Sequence, residues 1–260
     1  KQEMEKEIND FRDKEHEESL WTNSMFGGMT GYLISNQSKG GTLLPYIRSV
    51  MTLGLQGPAM ILFNYMLGFF ILLLVLGVNP WLSIVGSIAF AFSSYTLIII
   101  DAGHITKAMS ISYMAPVFAS VILICRKNYL AVTALLSLFM GLELYSSHVQ
   151  VTYYLLMMLV VYVGIQYFQY IKEKQFGDIG KSLVAFAVAA VIAFGCNTSN
   201  LLNTMDYVKY TMRGGSELKD ATGNKSDGGL DKDYVVAWSM GKAETMSLMI
   251  PGFKGRSSSI

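Results

Sequence analysis

Pro58-Ala-Met-Ile-Leu-Phe-Asn-Tyr-Met-Leu-Gly-Phe-Phe-Ile-Leu-Leu-Leu-Val-Leu-Gly-Val-Asn-Pro80 carries no charged side chain between its two prolines. A helix needs about 20 apolar residues to cross the hydrocarbon core of a bilayer. The same texture continues to Asn200, and six segments approach that length: 59–78, 81–100, 108–125, 129–145, 151–171 and 182–200. Pro58 and Pro80 stand where helices begin, where a missing N–H is harmless. Pro116 lies inside the third segment and predicts a kink that a packed bundle tolerates. The expected fold class is therefore all-α: a polytopic transmembrane bundle of six helices over 59–200, with extracytoplasmic surface helices in the flanks 1–58 and 201–260.

Short loops orient the bundle. Arg126 and Lys127 separate the third and fourth segments; Lys172, Lys174 and Lys181 separate the fifth and sixth. The two loops opposite carry only Lys107 as a fixed cation. The positive-inside rule then puts 126–128 and 172–181 in the cytoplasm of a bacterial inner membrane, and puts loops 101–107 and 145–150 and both flanks outside. Trp81 and the tyrosines Tyr145, Tyr153, Tyr154 and Tyr170 suit an interfacial belt.

Apolar residues make up 52% of the chain and charged residues 15%, against about a quarter charged in an ordinary soluble domain. The net charge of +1, with no basic stripe of interleaved aromatics, says nothing in favour of nucleic acid, and no nucleic-acid partner is expected. Cys125 and Cys196 fall near opposite membrane faces, too far apart for a disulfide, and read as small buried hydrophobes. The chain opens at Lys1 without a leader pattern. It reads as an internal piece of a longer multi-pass protein, with at least one span upstream.

The flanks differ in character. Residues 1–20 are densely charged and read as a solvated helix, His16 included. The Gly-rich run from Trp21 to Tyr32 is too apolar for a free loop and is expected on the membrane surface, with turn glycines at Gly27 and Gly28 as the plainer reading. Residues 213–233 read as a mobile loop, and Tyr234 to Ile250 as an amphipathic interfacial helix.

Chemistry concentrates in the two outer loops. Asp101 and His104, about one helical turn apart, form either a base with its orienting partner, two ligands for a divalent metal, or a turn and an N-cap. Lys107 is a snorkelling anchor or a phosphate contact. His148 and Gln150 face the same compartment. Glu143 lies inside the outer leaflet, where an isolated carboxylate needs a partner, and His148 is the nearest one in sequence. The plainer reading of Glu143 and His148 is a network that only locks helices together. Asn64, Asn79 and Gln166 read as interhelical hydrogen bonds or caps. No P-loop, nucleophile elbow or zinc spacing occurs, so an activated substrate must carry its own energy. Outside the cytoplasm that means a lipid-linked phosphate.

Gly103-His104-Ile-Thr-Lys107, then Ser147-His148-Val-Gln150-Val-Thr-Tyr-Tyr154, resemble motifs of the YfhO-type family of bacterial multi-pass membrane proteins. Leu20-Trp-Thr-Asn-Ser-Met-Phe-Gly-Gly28 and Trp238-Ser-Met-Gly241 with Leu248-Met-Ile-Pro-Gly-Phe-Lys-Gly255 fit the same family in the same order. The resemblance covers nearly the whole chain, as the family's N-terminal part without its first span. It implies a glycosyltransferase of the C-type superfamily, moving a hexosyl or N-acetylhexosaminyl group from a polyprenyl-phosphate-linked sugar to a cell-envelope glycopolymer or lipid acceptor. On that reading Asp101, His104 and His148 are the candidate catalytic residues. Lys107, Gln150, Glu143, Trp21, Asn23 and Trp238 are the candidate substrate contacts. C-type enzymes commonly carry an acidic residue in their first outer loop, and that position would precede Lys1. The alternatives are a transporter or flippase for lipid-linked sugar or envelope polymer, and a non-catalytic assembly partner.

Overall fold

The computed structural model describes residues 2–17, 19–23, 27–31, 43–209, 236, 239, 241–250 and 253. The chain is a multi-pass helical membrane protein, with a single two-stranded hairpin among the described residues. Two compact units form, one from residues 1–42 and 198–239, the other from 43–197 and 240–260.

In the first unit, α1 (Gln2–Glu15) is the charged helix expected of the N-terminal segment. Beside it, β1 (Trp21–Thr22) pairs antiparallel with β2 (Met29–Thr30). The Glu7 carboxylate accepts from the Thr22 hydroxyl at 2.6 Å and from the Asn23 N–H at 3.1 Å, tying hairpin to helix. Gly28, at φ 129°, lies under the Trp21 indole, where a Cβ would come within 2.6 Å of the ring.

The second unit holds the spans, α9 as far as residue 197. Four helices are long and apolar enough to cross a membrane: α3 (Gly57–Val75), α6 (Ile105–Cys125), α8 (Val149–Lys172) and α9 (Phe176–Val208). Pro58 and Pro80 begin helices as expected, and Asn79 caps the second of these by accepting from the Trp81 N–H at 3.0 Å. The segment read as one span over 81–100 is instead broken. It forms α4 (Pro80–Ala91) and α5 (Ser94–Asp101), bent by 42°. Ser93 is extended at φ −61°, ψ 149°, at the start of α5, and its hydroxyl lies 3.0 Å from that of Thr96 without capping a backbone N–H. The segment 129–145 becomes α7 (Leu130–Tyr145), whose 16 residues give about 24 Å of helix, short of a core of about 30 Å.

α6 is the centre. Of its apolar window 78% is buried, against 22% for each of α3, α8 and α9. α3, α5, α7 and α8 pack against it, and α4 packs on α3. Small side chains make this possible: Ala108, Ser110, Ser112, Ala115, Ala119 and Ser120 let backbones approach closely in a medium that offers no hydrophobic drive between helices. Pro116 cannot donate to the Ser112 carbonyl, and α3 meets α6 there at Gly68. A Cβ at Gly68 would lie 2.9 Å from both Pro116 Cδ and the Ser112 carbonyl oxygen. The Asn64 amide donates to the Tyr113 hydroxyl at 3.3 Å, the interhelical bond expected of it. The outward apolar side chains of α4, α8 and α9, such as Trp81, Val160 and Val191, are the lipid-facing surface.

A short helix, α2 (Leu44–Met51), precedes α3 and packs on α7. Of the amphipathic helix expected over Tyr234 to Ile250, residues 234–235, 237–238 and 240 lie outside the described residues; Val236 is helical and Glu244–Leu248 form a short 3-10 helix. Residues 213–233 lie outside the described residues. Cys125 is buried and free as expected, whereas Cys196 is free but exposed on α9.

Candidate functional site

The turns between α5 and α6 and between α7 and α8 share one design. Gly103 and Ser147 each take a left-handed conformation, at φ 75° and 59°. The Gly103 N–H donates to the Ile100 carbonyl and the His104 N–H to the Ile99 carbonyl, both at 3.0 Å, closing α5 with a Schellman motif. At the second turn the Ser147 N–H donates to the Leu144 carbonyl at 3.0 Å. In each case the next residue, His104 or His148, is the N-cap of the following helix and makes no side-chain capping bond. Helix-stop chemistry thus sets both imidazoles at helix N-termini.

The opposite ends of these helices carry the basic loops. Lys127 pairs with Asp178 at 2.9 Å and donates to the Gln175 carboxamide at 3.0 Å, while the Tyr129 hydroxyl donates to Asp178 at 3.2 Å. Loops 126–129 and 172–178 therefore meet at one end of the bundle. α6 runs from His104 to Arg126, so its 21 residues put the two ends about 30 Å apart.

At the histidine end lies a cleft of about 290 Å³. Lys107 from the first turn of α6 and His148, Gln150 and Val151 from the start of α8 line it, with Tyr95 and Tyr154 as aromatic walls and Ile111 and Met114 deeper. The Lys107 ammonium sits 5.5 Å from the Tyr95 ring centroid, a cation–π contact that aims the side chain. The Gln150 amide donates to the Tyr154 hydroxyl at 3.3 Å. Two helix N-termini, each carrying partial positive charge and free N–H groups, thus open beside one lysine. That combination suits an anion.

His148 is partly buried, and its Nδ1 is buried without a hydrogen-bond partner. Burial pushes its pKa below the ordinary 6.5, and the nearby charges of Lys107 and His104 push the same way. At neutral pH the ring is therefore uncharged and able to accept a proton.

Other candidates fall elsewhere. Asp101, the last residue of α5, and His104 are both exposed and neither lines the cleft, and no hydrogen bond or ion pair joins them among the described residues. Gly103 turns the chain between them, so the helical spacing that would pair them is lost. Glu143 does not pair with His148. Fully buried in α7, it meets the Thr152 hydroxyl with both carboxylate oxygens at 2.9 Å, because α8 presents Thr152 and not His148 to that depth. It ties α7 to α8 and does not line the cleft. Trp21 and Asn23 belong to the other unit, where the indole N–H donates to Asn23 at 3.2 Å. Trp238 lies outside the described residues. Gln166 lies partly buried on α8. Among the described residues no three His, Cys, Asp or Glu side chains converge.

Arg48 on α2 escaped the sequence reading. Its guanidinium stacks 5.4 Å from the ring centroid of Tyr145, just ahead of the His148 turn. No carboxylate pairs with it among the described residues. Its signal was an arginine alone in the apolar run Leu44–Met51, hidden inside what read as one long surface loop.

No described protein family, no curated protein and no solved structure matches the chain.

Proposed function

We propose that this chain is the membrane domain of a glycosyltransferase that takes a sugar from a polyprenyl-phosphate donor and passes it to a cell-envelope acceptor on the extracytoplasmic side. The observation that carries the reading is the meeting of Lys107, His148 and Gln150 at the N-termini of α6 and α8, from turns far apart in sequence. Further support comes from the four ordered motifs resembling the YfhO-type family and from the absence of a nucleotide-binding loop in the sequence.

The chemistry follows from the residues. The donor phosphate sits on Lys107 and the free N–H groups of the helix ends. Attack by an acceptor hydroxyl forms a new bond at the anomeric carbon. The bond to the phosphate oxygen breaks, and its electron pair leaves on the phosphate, where Lys107 stabilises it. Neutral His148 takes the hydroxyl proton. Gln150 and the two tyrosines border the sugar. A separate apolar cleft of about 460 Å³ lies between α6, α7, α8 and α9, with Val117 and Val121 on α6 and Leu159 and Val163 on α8. Its walls suit hydrocarbon, but it shares no lining residue with the histidine cleft.

The test is transfer from a synthetic polyprenyl-phosphate sugar to envelope acceptors by the full-length protein in proteoliposomes. Lys107→Ala and His148→Ala should each lower turnover by about 100- to 1000-fold, the usual effect of losing one preorganised group, with insertion and monodispersity unchanged. Movement of intact donor between leaflets, with no sugar transferred by wild type, would instead support a flippase.

A further inference from the structure

We propose that the groove between α7 and α9 at the basic end of the bundle binds an anionic phospholipid, its phosphate on Lys181 and an acyl chain along α9. The site lies at the other end of these helices from the histidine cleft and does not depend on the activity assigned there. α7 and α9 are tied at both ends. The Asn197 amide donates to the Gly141 carbonyl at 3.0 Å, and the Tyr129 hydroxyl to Asp178 at 3.2 Å. Between the ties the helices part and leave a cleft of about 670 Å³, within the range of about 300–1000 Å³ typical of small-molecule sites.

The α9 wall is one stripe of every fourth residue, Gly180, Val184, Val188 and Ile192, with Lys181 at its mouth. The hydroxyls on the α7 wall are already engaged with their own helix: Thr133 donates to the Tyr129 carbonyl at 2.7 Å and Ser137 to the Thr133 carbonyl at 2.8 Å. The walls therefore ask for hydrocarbon and the mouth for an anion. Lys181 is free to meet one, since its side chain is 66% exposed and its nearest carboxylate oxygen, on Asp178, is 3.8 Å away; such a pair is worth little. Gly180 leaves room beside it, as a Cβ there would meet nothing within 4 Å. Arg126, Lys172 and Lys174 add positive charge at the same end, while the Lys127 charge is already taken by Asp178. A lipid with an anionic head and a flexible tail matches the charge, the apolar walls and the opening toward the bilayer.

Native mass spectrometry of the full chain, with added phosphatidylglycerol or phosphatidylcholine, tests this. Wild type should retain phosphatidylglycerol about fivefold better, the factor expected of one interfacial lysine. Lys181→Gln should erase that preference, and Gly180→Leu should fill the groove and lose both lipids. Lys181 is exposed, so its variant decides the matter should Gly180→Leu unfold. Equal retention of the two lipids by wild type, an undiminished preference in Lys181→Gln, or undiminished phosphatidylglycerol binding in a folded Gly180→Leu would overturn the proposal.

Discussion

Lys107 and His148 divide the electrostatic work of the cleft because their surroundings differ. Lys107 is aimed by the Tyr95 ring. His148 is held neutral by burial, with Lys107 and His104 reinforcing the effect. The folded state binds fewer protons at His148 than the unfolded chain does. This residue therefore favours the fold above pH 6.5, and that contribution is lost as pH falls through the lowered folded value. An anion in the cleft acts the other way, raising the imidazole pKa and drawing in a proton. Binding of a long-chain alkyl phosphate should therefore strengthen in wild type relative to His148→Gln as pH falls from about 8 to about 5. Comparing the two at each pH removes the titration of the ligand itself; a constant ratio would contradict the assignment. Thr152 offers the contrasting case. Thr152→Val leaves the buried Glu143 carboxyl without its partner and should cost about 1–3 kcal/mol of stability. The result should be a lower melting temperature in detergent with turnover intact at permissive temperature.

At the scale of elements, α3 and α6 pack where Gly68 meets Pro116. Gly68→Ala puts a methyl group 2.9 Å from the proline ring and the Ser112 carbonyl. It should destabilise by about 1–3 kcal/mol, as overpacked sites do. Gly164→Ala on α8, where a Cβ meets nothing within 4 Å, should be neutral or stabilise by up to about 1 kcal/mol. Thermal unfolding of the two variants in one detergent checks the contrast, and equal effects would mean the α3–α6 contact is looser than described. Element starts were legible in the sequence because proline chemistry is local: Pro58 and Pro80 announced α3 and α4. The break at Ser93 was not, since a serine in an apolar run reads equally as an interior residue or a cap. Nor was the Glu143–Thr152 bond. Spans that are apolar all round give no periodic signal of which face meets a neighbour, so the depth shared by residues on α7 and α8 had to come from packing.

Across the whole molecule, the placement of both histidine turns at one end followed from counting charges in the loops, and the Lys127–Asp178 pair joins the two basic loops at the other. Single-cysteine labelling of a cysteine-free protein should therefore modify positions 103 and 147 from one side of the membrane and position 128 from the other. Labelling of 128 together with 103 would contradict this arrangement. What the sequence could not disclose was which polar residues share the cleft. Lys107 and Gln150 do, whereas Asp101 and His104 do not line it and Arg48 stacks on Tyr145. The central claim is that the N-termini of α6 and α8 hold a lipid phosphate on Lys107. Its most direct measurement is equilibrium binding of a polyprenyl phosphate and of the matching uncharged polyprenol to wild type and to Lys107→Gln. The phosphate should bind wild type at least about tenfold more tightly than it binds the variant, as a charge-assisted contact of about 1.5–3 kcal/mol requires, while the polyprenol binds both alike. Equal affinity of the phosphate for the two proteins would contradict the account.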